Sequence, residues 1–295
     1  MLDQDKLDRL RSLAAKALEK HEAHETIYVA VEREEVDPAT FNRVLGPPLG
    51  VTDATWPRFE IVPASHGEYV EKDNRMEHVF TIDLRDVKLR GTFPEGARAA
   101  SFFVSNRHLN TAYEQPNQEC RLYFWGDADV ARGFYEGTLP ERKYGPGETE
   151  AFDLVAIEVP SAVFSSSASD DPLLEPLRTA LFQCSARLGG EPLWMQGDPE
   201  EDDFGDDFGG SDDEDSGDEE DSDDEDSDDD EDSGDENSDD EDSSDEPKKP
   251  LIQDLGLRGA GGVVMQFDER FGDVNLGDSG IMYVYGDGTA FWQCG

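Results

Sequence analysis

The sequence predicts an α+β domain, mostly antiparallel sheet, built from two related halves, with an N-terminal helix and a disordered polyacidic insertion. Three observations predict it. Short apolar stretches separated by Gly, Pro and Asp recur along the chain, as expected of antiparallel strands joined by tight turns. One order of motifs occurs twice. Residues 198–246 hold 32 Asp and Glu and no Lys or Arg. Such a stretch repels itself and has too little apolar surface to offset the entropy of ordering its backbone.

Taken in order, residues 3–22 read as an amphipathic helix. Leu7, Leu10, Ala14, Ala17, Leu18 and His21 recur at helical spacing, with charged residues between them. Thr26–Val31 is rich in β-branched residues and reads as a strand. In residues 41–61, Gly46-Pro47-Pro48 and Trp56-Pro57 then exclude regular helix and mark a structured loop. Strands follow at His78–Leu84, Arg98–Ser105, Glu119–Trp125 and Phe152–Val159.

The stretch Asp171–Ala186 reads as a second helix. Asp171 is its N-cap and Pro172 takes the tolerated first position, though Pro176 favours a regular start after it. Leu188–Gln196 is a second Gly/Pro/Trp loop, and Gly262–Asp268, Gly280–Tyr285 and Thr289–Gln293 are short strands. Asp287-Gly288 is a hairpin signal. The folded domain therefore comprises 1–197 and 247–295, interrupted by the insertion.

The repeat is an ordered series: a Gly/Pro loop, a tryptophan, a strand ending in an apolar residue and Asp, then a glycine leading into an aromatic strand. It occurs at Leu45–Pro48, Trp56, Phe80–Leu84 and Gly96–Val104. It occurs again at Leu188–Pro192, Trp194, Val264–Asp268 and Gly280–Tyr285.

In these residues the chain resembles the YwqG-like family of bacterial proteins of unknown function. The resemblance rests on Leu-Gly-Gly-x-Pro-x-Trp-x-Gln at 188–196, the Met265–Asp268 strand, Gly277–Tyr283 and the closing Phe291–Cys294. The first half adds Trp56-Pro57 and Phe80–Leu84. Three features depart from the family pattern: Gly46-Pro47 in place of Gly-Gly, Thr81 in place of a glutamine, and the extreme acidic run. The resemblance implies a two-repeat, largely antiparallel fold and no established activity. Relatives encoded beside secreted-toxin systems suggest an immunity or interaction role by association.

Charge narrows the partners. Net charge is −46, and the residues outside 198–246 still carry 39 acids against 25 bases. Nucleic acid is disfavoured, whereas basic proteins and cations are favoured. No apolar run reaches the length of a membrane span, and the charged N-terminus has no signal core, so a cytoplasmic protein is expected. Three widely spaced cysteines form neither a disulfide framework nor a zinc motif. The five histidines show no ligand spacing.

No catalytic motif is present, so no catalytic residues are assigned and no cofactor is expected. Weak divalent-cation binding by the acidic run follows from its charge density alone. Paired calcium loops are excluded there, because Glu219 occupies the apolar position and no helices flank it. The candidate binding residues are Trp56, Asp83, Trp194, Gln196, Gln266, Asp268 and Asp278.

Asp83, Asp268 and Asp278 sit at strand ends. They would form a metal or acid–base cluster if the fold joined them, or cap turns if it did not. Gln196 and Gln266, in apolar surroundings, are expected to bond loop backbone, or else a ligand. Trp56 and Trp194 are expected to anchor the two loops in the core, or to line an aromatic cleft. The leading expectation is a non-enzymatic protein-binding factor, of immunity or adaptor type, whose acidic run engages basic partners. The alternatives are a small-ligand or metal-dependent enzyme using a cleft between the repeats, and a low-affinity cation binder.

Overall fold

A computed structural model describes residues 1–33, 40–58, 74–89, 93–104, 120–140, 149–195, 262–272, 276 and 279–293. The polyacidic insertion expected at 198–246 lies outside the described residues. Among them, no helix is long and apolar enough to cross a membrane.

Helix α1 spans Gln4–Leu18. Asp3 caps it, its carboxylate accepting from the Lys6 N–H at 2.9 Å. The face bearing Leu7, Leu10, Ala14 and Ala17 is buried. A second long helix, Leu174–Phe182 (α3 below), buries Leu174, Leu177 and Leu181 in the same layer, over Ile27, Val29 and Val159 of the sheet. Each such leucine contributes roughly 2 kcal/mol by leaving water.

Among the described residues, ten antiparallel strands form one sheet. They are β1 (His24–Arg33), β2 (Arg43–Val44), β3 (Glu77–Asp83), β4 (Ala99–Val104), β5 (Cys120–Trp125), β6 (Glu150–Pro160), β7 (Ala186–Leu188), β8 (Val263–Asp268), β9 (Ile281–Tyr285) and β10 (Ala290–Gln293). Short α2 (Asp127–Val130) follows β5. The spatial order is β10-β9-β8-β7-β1-β6-β2-β3-β4-β5. The long β1–β6 pair, running from His24↔Pro160 to Arg33↔Ala151, lies at the centre with four strands on each side. The register shifts once in β3–β4, between His78 and Phe80, and once in β8–β9, between Val263 and Met265.

The two wings of the sheet share one core. The Phe80 and Phe102 rings of one wing each lie 5.3 Å from Phe267 of the other, and Phe271 reaches Phe152 of the central pair at 5.2 Å. The sheet curls far enough for its outer ends to touch, where the Leu122 N–H of β5 donates to the Gly288 carbonyl in the β9–β10 turn at 2.9 Å. Unpaired edges invite aggregation, and this contact covers part of one.

Several expectations need correction. Helix α3 starts before Pro176, because its first-turn nitrogens have no intrahelical acceptor and a proline there sacrifices nothing. Asp171 still caps the turn, accepting from the Leu173 and Leu174 N–H groups at 2.7 and 3.3 Å. The helix ends at Phe182, and Ala186–Leu188, which straddles the expected helix and loop, is a strand. The connector before the helix contains two 3-10 turns, Ser161–Phe164 and Ser166–Asp170. Strand β2 lies within the stretch expected to be loop.

Candidate functional site

The two Gly/Pro loops leave β2 and β7 through consecutive left-handed residues: Leu45 and Gly46 (φ 62° and 75°), and Gly189 and Gly190 (φ 76° and 73°). A side chain on Gly190 would sit 2.4 Å from the Phe164 ring, so glycine is required there. Leu45 adopts the same turn at a strain of about 1–2 kcal/mol.

Around the second loop, one polar residue from each of β7 to β10 reaches the backbone. Arg187 donates from Nη1 to the Gly189 carbonyl (2.8 Å), and from Nη2 to the Glu191 carbonyl (2.9 Å) and Gln266 Oε1 (2.7 Å). Gln266 Oε1 also accepts the Leu193 N–H at 3.0 Å. The Tyr283 hydroxyl donates to the Leu193 carbonyl at 3.0 Å. The Met195 N–H is shared between the Tyr283 oxygen and Gln293 Oε1, at 3.1 and 3.0 Å. The loop is thus fastened wherever its own backbone lacks partners.

Arg187 is buried and pairs with no carboxylate among the described residues; burial pushes its guanidinium down to about 10. Burial likewise pushes the neighbouring Cys184 thiol up to about 12. That thiol is inert, because the thiolate is the nucleophile. Iodoacetamide at about pH 8.5 should leave Cys184 unmodified in the native chain and label it in denaturant. Peptide mapping reads the difference; labelling of Cys184 in the native chain would contradict its burial.

The predicted site residues divide as follows. Gln266 belongs to this clamp. Trp194 lies on Tyr283, with ring centroids 4.5 Å apart, but is only half-buried, so it covers the clamp from outside and is not a core anchor. Trp56 is buried and donates its indole N–H to the Met76 carbonyl at 2.9 Å.

Asp83 and Asp268 do not join in a cluster. Each is gripped by the arginine two residues on, Arg85 or Arg270, through guanidinium and backbone N–H alike. The carboxylate hydrogen bond raises the pKa of each arginine. Gln196 and Asp278 lie outside the described residues. No group of three or more His, Cys, Asp or Glu able to hold a metal occurs among the described residues.

At the other wing the polar side chains bond to one another. Trp125 donates its indole N–H to Ser101 Oγ (2.8 Å), Ser101 and Thr81 share a hydroxyl contact (2.8 Å), and Thr81 Oγ1 meets His78 Nε2 (2.9 Å). His78 Nδ1 reaches the Gly46 carbonyl at 2.9 Å. A single direction satisfies every group: the proton on Nδ1 goes to Gly46, and Nε2 accepts from Thr81.

Thr81 and Ser101 hold the registers in β3–β4 that Gln266 and Tyr283 hold in β8–β9, and they are shorter. A small pocket adjoins this chain of hydroxyls, lined by Gly46, Trp56, Glu77 and His78, with Leu139 and Pro140 at its rim.

Arg187, Tyr283, Gln293 and His78 escape sequence reasoning. The one available signal is a polar residue standing alone within an apolar run, such as Arg187 in Ala186–Leu188. Comparison with protein-family models and with curated proteins finds no match for this chain.

Proposed function

We propose that the chain is a non-enzymatic protein-binding factor, of immunity or adaptor type, whose acidic run engages basic partners. The observation that carries the reading is the charge of 198–246: 32 acids and no base. Such density attracts polycations over long range and speeds their encounter.

The folded part supports a carrier role. The described residues on either side of the insertion are both fixed to the same wing of the sheet, Met195 by Tyr283 and Gln293, and Gly262 by the Gly286 N–H donating to its carbonyl at 2.9 Å. Closing even a long loop between two anchored points costs little more than closing a short one. The candidate side chains Gln266, Asp83 and Asp268 hold backbone or arginine, which favours scaffolding over chemistry.

The strand order supports two related halves and, with them, the YwqG-like resemblance. Reading outward from β1–β6, β7 to β10 on one side answers β2 to β5 on the other. On this reading Arg43 answers Arg187, and Asp83 answers Asp268. The two loops then match with Leu45-Gly46 opposite Gly189-Gly190, one residue out of step with the Leu-Gly match of the sequences. The free, buried Cys184 fits a reducing, cytoplasmic compartment.

Fluorescence anisotropy with a labelled lysine- and arginine-rich peptide tests the reading. A chain lacking 198–246 should bind at least about tenfold more weakly, and the intact chain should lose affinity steeply with added salt. Equal affinity of the two chains would refute the role of the run.

A further inference from the structure

We infer that the indole of Trp194 is a docking face for the guanidinium of an arginine carried by the basic partner. This deepens the reading above and rests on it, since it names the side chain by which that partner touches the folded part.

The first half of the molecule shows what such an indole holds. Trp56 and Trp194 occupy the same step of the repeated series. The Trp56 N–H donates to the Met76 carbonyl at 2.9 Å, Tyr135 packs edge-on with ring centroids 4.8 Å apart, and the Arg75 guanidinium lies 5.4 Å from the ring centre. Thus covered, Trp56 is only 2% exposed. Arginine takes this kind of place elsewhere in the same wing: Arg43 lies 3.5 Å from the centre of the Phe134 ring and Arg85 4.5 Å from that of Phe41. The face of an aromatic ring attracts cations, and a planar, weakly hydrated guanidinium stacks there better than a compact ammonium.

Trp194 has the floor of such a site and lacks the cover. It lies on Tyr283 with centroids 4.5 Å apart, and Phe291 backs Tyr283 at 6.3 Å. The Tyr283 hydroxyl is committed to the Leu193 carbonyl and the Met195 N–H, so the floor is fixed. Yet Trp194 stays half-exposed, and among the described residues its N–H has no acceptor and its ring no cation. Arg75 stands six residues before Thr81, whereas the residue six before Gln266 is Ala260, so the second half has no arginine at that spacing. Charge directs the choice of occupant. The acidic run begins four residues after Trp194, a tether of at most about 14 Å, so a basic segment gathered by its first acids is held within reach of the indole.

The test compares two labelled peptides of equal length and charge, one with arginine and one with lysine at every basic position, by fluorescence anisotropy on the full chain. The arginine peptide should bind about fivefold more tightly, the scale of one partly exposed contact between a cation and a ring. Trp194→Leu should reduce the arginine peptide to the affinity of the lysine peptide. A nuclear Overhauser effect between the Trp194 ring and an arginine δ-methylene should appear in the unaltered chain, and it decides the matter if Trp194→Leu does not fold.

Deleting 198–246 should abolish tight binding of both peptides alike. Failure of the reading above therefore shows in the deletion, and failure of this inference shows in the ratio of the two peptides. Equal affinity of the full chain for both peptides, an undiminished arginine preference in folded Trp194→Leu, or absence of the Overhauser effect would each overturn the inference. The last is also the result expected if the chain's own Arg258 occupies the indole.

Discussion

Gln266→Leu should destabilise the fold by about 3–5 kcal/mol, measured as a lower urea midpoint at unchanged slope. The substitution keeps the volume and apolar character of a buried strand position, so pattern alone would predict a mild effect. It removes the one oxygen that accepts from both Arg187 Nη2 and the Leu193 N–H. The cost arises because Arg187 stays charged and buried with one acceptor fewer, and a backbone N–H in the loop is stranded. Arg187→Met should cost less than Gln266→Leu, since it removes the charge along with its bonds. The double variant should be more stable than the sum of the two by about 1–3 kcal/mol. Strict additivity would mean that the two side chains do not share one oxygen in solution.

Gly288→Ala should cost about 2–4 kcal/mol, from two causes in one residue. Gly288 has φ 91°, where side chains are strained, and an added Cβ would lie 2.5 Å from the Leu122 carbonyl oxygen. That oxygen belongs to β5, so the alanine must push β5 and the β9–β10 turn apart and break the Leu122–Gly288 hydrogen bond. Thermal denaturation should show the melting temperature falling by about 5–15 °C. Amide exchange should locate the loss at Leu122. A variant with wild-type protection there would show that the two ends of the sheet do not meet.

Much of the sheet is legible in the sequence, for a physical reason. Strands such as Ala99–Val104 and Cys120–Trp125 are buried along their whole length, and runs like Phe102-Phe103 and Tyr123-Phe124-Trp125 have no competing helical spacing. Strands β2 and β7 are illegible because two or three residues cannot establish a period. They exist because longer neighbours supply their hydrogen bonds.

The candidate site divides in the same way. Gln266 stands out as a lone amide among apolar residues, and what it bonds is loop backbone. Asp83 and Asp268 stand out equally well as acids at strand ends. Their partners Arg85 and Arg270 follow two residues later, a spacing that pairs side chains only because the chain turns there. Trp194 reads like Trp56 in sequence and differs in burial, because its loop is six residues shorter from strand to tryptophan. The pocket has no sequence signature, since its lining comes from three separate stretches, at Gly46–Trp56, Glu77-His78 and Leu139-Pro140.

The central claim is that the sheet is complete without residues 198–246 and that those residues do the binding. An amide NMR spectrum of the chain lacking them, titrated with the basic peptide at concentrations that saturate the full chain, tests both parts at once. The account predicts a dispersed spectrum in which the Leu122, Met195 and Gly286 resonances keep their full-length positions and do not move as peptide is added. Loss of dispersion, or peptide-induced shifts equal to those of the full chain, would contradict it.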